Sequence, residues 1–277
     1  MDEKIMEYED FKRIFTSALR KNEVEEIRKF LEDTVKNVYE YIGIDNYSSI
    51  EDTYIARERQ STEIKYGNAL ENILTSYISL MGYKNLDKKI GKAKDGKELN
   101  ADQVFIDEKT KTVYLIEQKK KDNHDSTKKR GQIENFKKKI DVLSIIYPKY
   151  KIVGVMWFLN NQIKNKKFYL EEMAKITNSR ISLNLYYGDK LFSDLFERMD
   201  VWTEMLTYLK KIKKERKEKI TKVPNFDTSK TVLKALEELK QKRPKIYKKF
   251  MSSDAEYIQL RAELFTTGEN LEKVKEK

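Results

Sequence analysis

The sequence predicts an α/β fold, a mixed central sheet flanked by helices with further helical segments at both ends of the chain, on three observations. Two apolar runs, Val104-Phe105-Ile106 and Val113-Tyr114-Leu115-Ile116, flank the polar hexapeptide DEKTKT, whose length suits the turn of an antiparallel hairpin. Residues 151–160, KIVGVMWFLN, form an almost unbroken apolar run rich in β-branched and aromatic side chains, as expected of a strand covered on both faces. The stretches between and around these runs carry apolar residues at helical spacing.

Residues 4–44 read as two amphipathic helices, with Phe11, Ile14, Phe15 and Leu19 on the first and Val24, Ile27, Phe30, Leu31, Val35 and Val38 on the second, broken near Lys21 and ended around Gly43. The polar passage DNYSSIEDTYIARERQSTE that follows reads as a loop with one short helix. Residues 66–83 form a buried helix closed by Gly82, and Lys89 to Ala93 a short first strand. After the hairpin, Asp125-Ser126-Thr127 offers capping side chains to a helix whose stripe is Gln132, Ile133, Phe136, Ile140 and Leu143, stopped by Pro148. The buried strand at 151–160 is followed by a helix at 169–176, the strand ISLNLYYG and a helix over DKLFSDLFERM. From residue 201 onward a long basic helix, broken by Pro224, and then three more helices are expected. These boundaries divide the chain into an N-terminal helical region (1–63), a sheet-bearing core (64–200) and a C-terminal helical region (201–277).

Composition narrows the chemistry. With 57 basic and 46 acidic residues the net charge is +11, which suits a polyanionic partner, although lysine abundance also follows genomic base composition. The absence of cysteine excludes disulfides, thiolate metal sites and cysteine nucleophiles, and the single histidine, His124, excludes sites built from several histidines. No run approaches the apolar length of a membrane span, so the chain reads as cytoplasmic.

The acids of the hairpin suggest what the core does. Asp102 opens its first strand and Glu117 closes its second, so antiparallel pairing brings both to the same end, while strand alternation puts Lys119 on the face of Glu117. Two carboxylates can hold a hard divalent cation, and the ammonium can orient or deprotonate a water beside a phosphate. Asp107 and Glu108 lie at the opposite, turn end. The pattern of Asp102 in ADQVF, fourteen intervening residues and Glu117 in IEQKKK resembles the PD-(D/E)xK nuclease superfamily, and the following KDNHDSTKKRGQ is most similar to type II restriction endonucleases. Ala101 stands where that pattern usually has proline.

The resemblance implies a restriction-endonuclease-like core that cuts double-stranded DNA to leave 5′-phosphate ends with Mg²⁺ held by Asp102 and Glu117, joined by Glu71 of the preceding helix. It further implies a possible homodimer, and a cognate DNA methyltransferase as a partner in function. From Lys119 to Lys139 there are nine basic residues against three acids. Lys120, Lys121, His124, Lys128, Lys129, Arg130 and Gln132 are the candidates for DNA contact, and Lys137, Lys138 and Lys139 read as a solvated helix face. Two other readings stay open: a repair or recombination nuclease, because Gln132 to Phe136 resembles the Q-x-x-x-Y helix of recombination exonucleases, and a DNA-binding protein that no longer cuts.

Overall fold

The computed structural model describes residues 4–45, 47–93, 96–122, 125–176, 178–216 and 222–276. The hairpin forms where the apolar runs place it: β4 (Gln103–Asp107) and β5 (Thr112–Lys119) pair antiparallel, from Gln103 opposite Ile116 to Asp107 opposite Thr112. Asp107 closes the turn by accepting from the backbone N–H of Lys109 at 2.9 Å and of Thr110 at 3.4 Å, and Lys111 takes a left-handed φ of 51°. β1 (Lys84–Asn85) pairs antiparallel with β4, while β6 (Lys151–Phe158) and β7 (Ile181–Tyr187) continue parallel to β5, giving a mixed sheet in the order β1-β4-β5-β6-β7. The short strand expected at Lys89 exists as β2 (Lys89–Lys92), but it pairs with β3 (Glu98–Asn100) in a separate two-stranded sheet.

The crossover from β5 to β6 is α5 (Ser126–Ile146), capped by Asp125, whose side chain accepts from the backbone N–H of Lys128 at 2.8 Å. Its apolar stripe, Ile133, Phe136, Ile140 and Leu143, packs in one core with Val113 and Leu115 of β5 and Ile152 of β6. The approach is close because β6 carries glycine at 154. A Cβ there would lie 2.5 Å from Ile140 Cδ1, 2.7 Å from Leu183 Cδ2 and 2.9 Å from Phe136 Cζ. Gly154→Val is therefore expected to cost about 1–3 kcal/mol by overpacking, seen as a lower denaturant midpoint at unchanged slope. An unchanged midpoint would contradict this packing. A second aromatic group, with Phe105 and Tyr114 stacked at 4.9 Å and Tyr83 and Phe196 against Phe105, is built from β4, β5 and the segments after the 66–83 helix and β7.

Two expected elements differ. The passage expected to be mostly loop is the first half of one 31-residue helix, α4 (Ile50–Leu80). Its start is capped by Ser49 Oγ, which accepts from the N–H of Asp52 at 3.1 Å. Only Ile50 and Tyr54 bury apolar surface there, and ion pairs Arg57–Asp33 (2.5 Å) and Lys65–Glu26 (2.8 Å) do the rest, a pattern without helical hydrophobic period. The helix expected over DKLFSDLFERM is a π-helical turn, Leu191–Leu195, because Leu191 and Phe196, five residues apart, both turn inward. The remaining helix after β6 is α6 (Lys166–Ala174).

The chain forms two compact units, each from two stretches: residues 1–18 with 66–217, and residues 19–65 with 218–277. This differs from three consecutive regions at 1–63, 64–200 and 201–277. The physical reason is partner choice. α1 (Tyr8–Ala18) packs on α7 (Met199–Glu215) in the sheet-bearing unit, with Phe11 5.3 Å from Tyr208 and the Glu204 carboxylate accepting from the N–H groups of Ile5 and Met6 at 3.0 Å. α2 (Glu23–Lys36) and α3 (Val38–Tyr41) instead share a core with α8 (Lys230–Lys242), α9 (Pro244–Phe250), α10 (Ala255–Leu264) and α11 (Glu269–Glu276), centred on Phe30, Leu31, Leu236, Leu239 and Phe250. An apolar face shows that a helix is covered, not by which neighbour.

The division also sorts charge. The sheet-bearing unit has 35 basic against 25 acidic residues and the helical unit 22 against 21, so nearly all the excess positive charge, the basic α7 included, belongs with the sheet. Among the described residues no helix is long and apolar enough to cross a membrane.

Candidate active site

Asp102 stands one residue before β4, and the hairpin register carries it to the end of the strand where Glu117 and Lys119 leave β5. Asp102 Oδ2 accepts from the backbone N–H of Gln118 at 2.6 Å, which ties the first acid across the hairpin to the residue after the second. Lys119 Nζ then lies 3.6 Å from Asp102 Oδ2 and 3.3 Å from Glu117 Oε2. The three side chains singled out from the sequence thus meet around one ammonium.

Glu117 is the buried member, only 4% exposed. Burial, and then the charge of Asp102, push its carboxyl above the usual range, against the pull of Lys119 and Lys139. Lys119 is pulled both ways. Burial favours its neutral form, but Asp102 and Glu117 outweigh that and hold it above the ordinary ammonium range. It therefore stands protonated, a state suited to orienting water and stabilising phosphate charge rather than to removing a proton.

Glu71 reaches the site from α4. Its carboxyl is raised by burial first and next by the charge of Asp102, so the two acids sense each other, and Lys88 Nζ pairs with it at 3.4 Å. The helix is held by Gln103, whose buried side chain donates to the Glu71 carbonyl at 2.7 Å and accepts from Thr75 Oγ1 at 2.7 Å. Among the described residues no three acidic, histidine or cysteine side chains converge tightly enough to hold an ion by themselves. Asp102 and Glu117 are the two carboxylates that the hairpin brings around one ammonium, and oxygen donors of this kind suit a hard cation.

A cleft of about 280 Å³ opens beside these acids, lined by Glu117, Lys119, Lys128, Gly131, Gln132 and Asn135. Two of the expected DNA contacts, Lys128 and Gln132, line it, and Gln132 is held by the hydroxyl of Tyr169, which donates to its Oε1 at 2.9 Å. Lys120, Lys121 and Arg130 are exposed outside the cleft lining. Lys129 is turned aside, its ammonium 3.2 Å from Asn165 Oδ1 and 4.6 Å from the centre of the Phe168 ring. His124 lies outside the described residues.

Four residues escaped the sequence reading. Lys139, expected on a solvated face, is 4% exposed and donates to Glu117 Oε1. Its position three residues after Phe136 and seven after Gln132, on the same stripe, was the available signal. Lys137, also expected there, pairs with Glu172 at 2.8 Å. Lys88 and Gln103 left no signal, because only tertiary contact brings them to Glu71.

Residues 84–213, just under half of the chain and running from β1 into α7, match the family model of the type II restriction endonuclease HinfI. No curated protein matches the chain.

Proposed function

Starting from a chain that is a type II restriction endonuclease of the HinfI family, and so a site-specific deoxyribonuclease acting on double-stranded DNA, we propose that it cuts its substrate at the cluster of Asp102, Glu117 and Lys119. The observation that carries this reading is the meeting of Asp102 and Glu117 within 3.6 and 3.3 Å of the Lys119 ammonium, at the mouth of a cleft lined by Lys128 and Gln132. Type II restriction endonucleases generally use Mg²⁺, and Asp102 and Glu117 are the residues that would hold it, with Glu71 acting through water. Bound there, the ion would offset charge on the scissile phosphate.

The protein's own groups supply the rest. The Gln118 backbone N–H fixes Asp102, so the acid keeps its aim without a side-chain neighbour of opposite charge beyond Lys119. Lys119 orients the attacking water for in-line displacement that leaves a 5′-phosphate and a 3′-hydroxyl. Lys128 and Gln132 bind the strand being cut, and Lys120, Lys121, Lys129 and Arg130 add sequence-independent attraction for neighbouring phosphates. The family match supports this reading over a repair nuclease or a non-cleaving binder.

Incubation of the purified protein with Mg²⁺ and a plasmid of known sequence is expected to give discrete fragments with ligatable 5′-phosphate ends, and EDTA is expected to abolish them. A smear or end-trimming would favour a repair nuclease. A gel shift without cutting would refute the enzyme.

A further inference from the structure

We propose that Lys139 is a positioning residue that fixes the Glu117 carboxylate for cation binding at the candidate active site; this rests on the reading of Asp102 and Glu117 as the cation ligands. Glu117 is approached from two sides. Lys139 Nζ reaches Oε1 from α5, while Oε2 faces Lys119, with Asp102 Oδ2 on the far side of that ammonium. A carboxylate held at one oxygen by a fixed, buried cation keeps the aim of the other.

Lys139 is not a surface residue resting against the site. It is 4% exposed, on the helix face that packs Phe136 and Ile140 against the sheet, where leucine would fill the space without desolvating a charge. It pairs with Glu117, itself 4% exposed, so the two hold each other in place.

The test measures cation affinity. Titration of the native protein with Mn²⁺, read by the electron spin resonance of the free ion, is expected to show tight binding. No bound ion would overturn the ligand reading and the proposal together. In Lys139→Met, folded by circular dichroism, Mn²⁺ affinity is expected to fall at least tenfold, because Glu117 loses the group that fixes it, and Lys139→Arg is expected to recover most of that loss. Unchanged affinity in Lys139→Met, or equal losses in both variants, would refute positioning by a cation at this place.

Discussion

Alanine at Lys119 is expected to slow plasmid cleavage by about a hundred- to ten-thousandfold while changing DNA affinity, measured by gel shift without Mg²⁺, only severalfold. The size follows from the placement of the ammonium, within 3.6 Å of both acids and lining the cleft, where on the proposed reading it would meet the reacting phosphate rather than the body of the duplex. Asp102→Asn and Glu117→Gln are expected to give losses of similar size, and Lys119→Ala combined with Asp102→Asn little more than either alone, because the groups act as one unit. Full activity in Lys119→Ala would remove that residue from the mechanism. A matching loss of binding would make it a DNA anchor instead.

Asp122→Ala is expected to cost about 3–5 kcal/mol of stability, seen as a large fall in the denaturant midpoint. Asp122 is fully buried three residues beyond Lys119. Its Oδ2 accepts from the backbone N–H groups of Lys164 and Asn165 at 3.0 and 2.7 Å and from the Tyr187 hydroxyl at 2.8 Å, and its Oδ1 from Asn165 Nδ2 at 2.8 Å. Truncation would leave all four donors without their acceptor. Burial alone would raise this carboxyl, but the hydrogen bonds from Asn165, Tyr187 and Lys164 outweigh it and lower its pKa. A depressed folded-state pKa contributes stability that is complete above the ordinary aspartate value, about 4, and is lost as pH falls below it. The stability gap between native protein and variant should therefore be widest near neutrality and narrow in acid. A gap that stays constant down to pH 2 would show that the carboxylate charge is not what those donors need.

The two residues illustrate how differently sequence speaks about one short segment. Lys119 was legible because strand alternation and the spacing from Asp102 to Glu117 are local rules: once the hairpin forms, its register decides which side chains share an end. Asp122 read as one acid in a basic run, and nothing local distinguishes a buried acceptor of four hydrogen bonds from a solvated carboxylate. Lys139 shows the same limit more sharply. On an isolated helix its charge argues for solvent, and only the sheet beneath α5, brought close by Gly154, supplies the carboxylate that makes its burial tolerable.

The sequence by itself determined the hairpin and its acids, the buried β6, the capped α5 and the apolar faces of the terminal helices, because each depends on periodicity, turn chemistry or capping within a few residues. Tertiary structure alone decided that α1 joins the sheet and α2 the C-terminal helices, that the excess positive charge gathers on the sheet-bearing unit, and that Lys88, Gln103 and Lys139 stand at the acids. Those outcomes depend on which surfaces meet across long separations in the chain, and burial acts on whatever partner the fold delivers rather than on sequence neighbours.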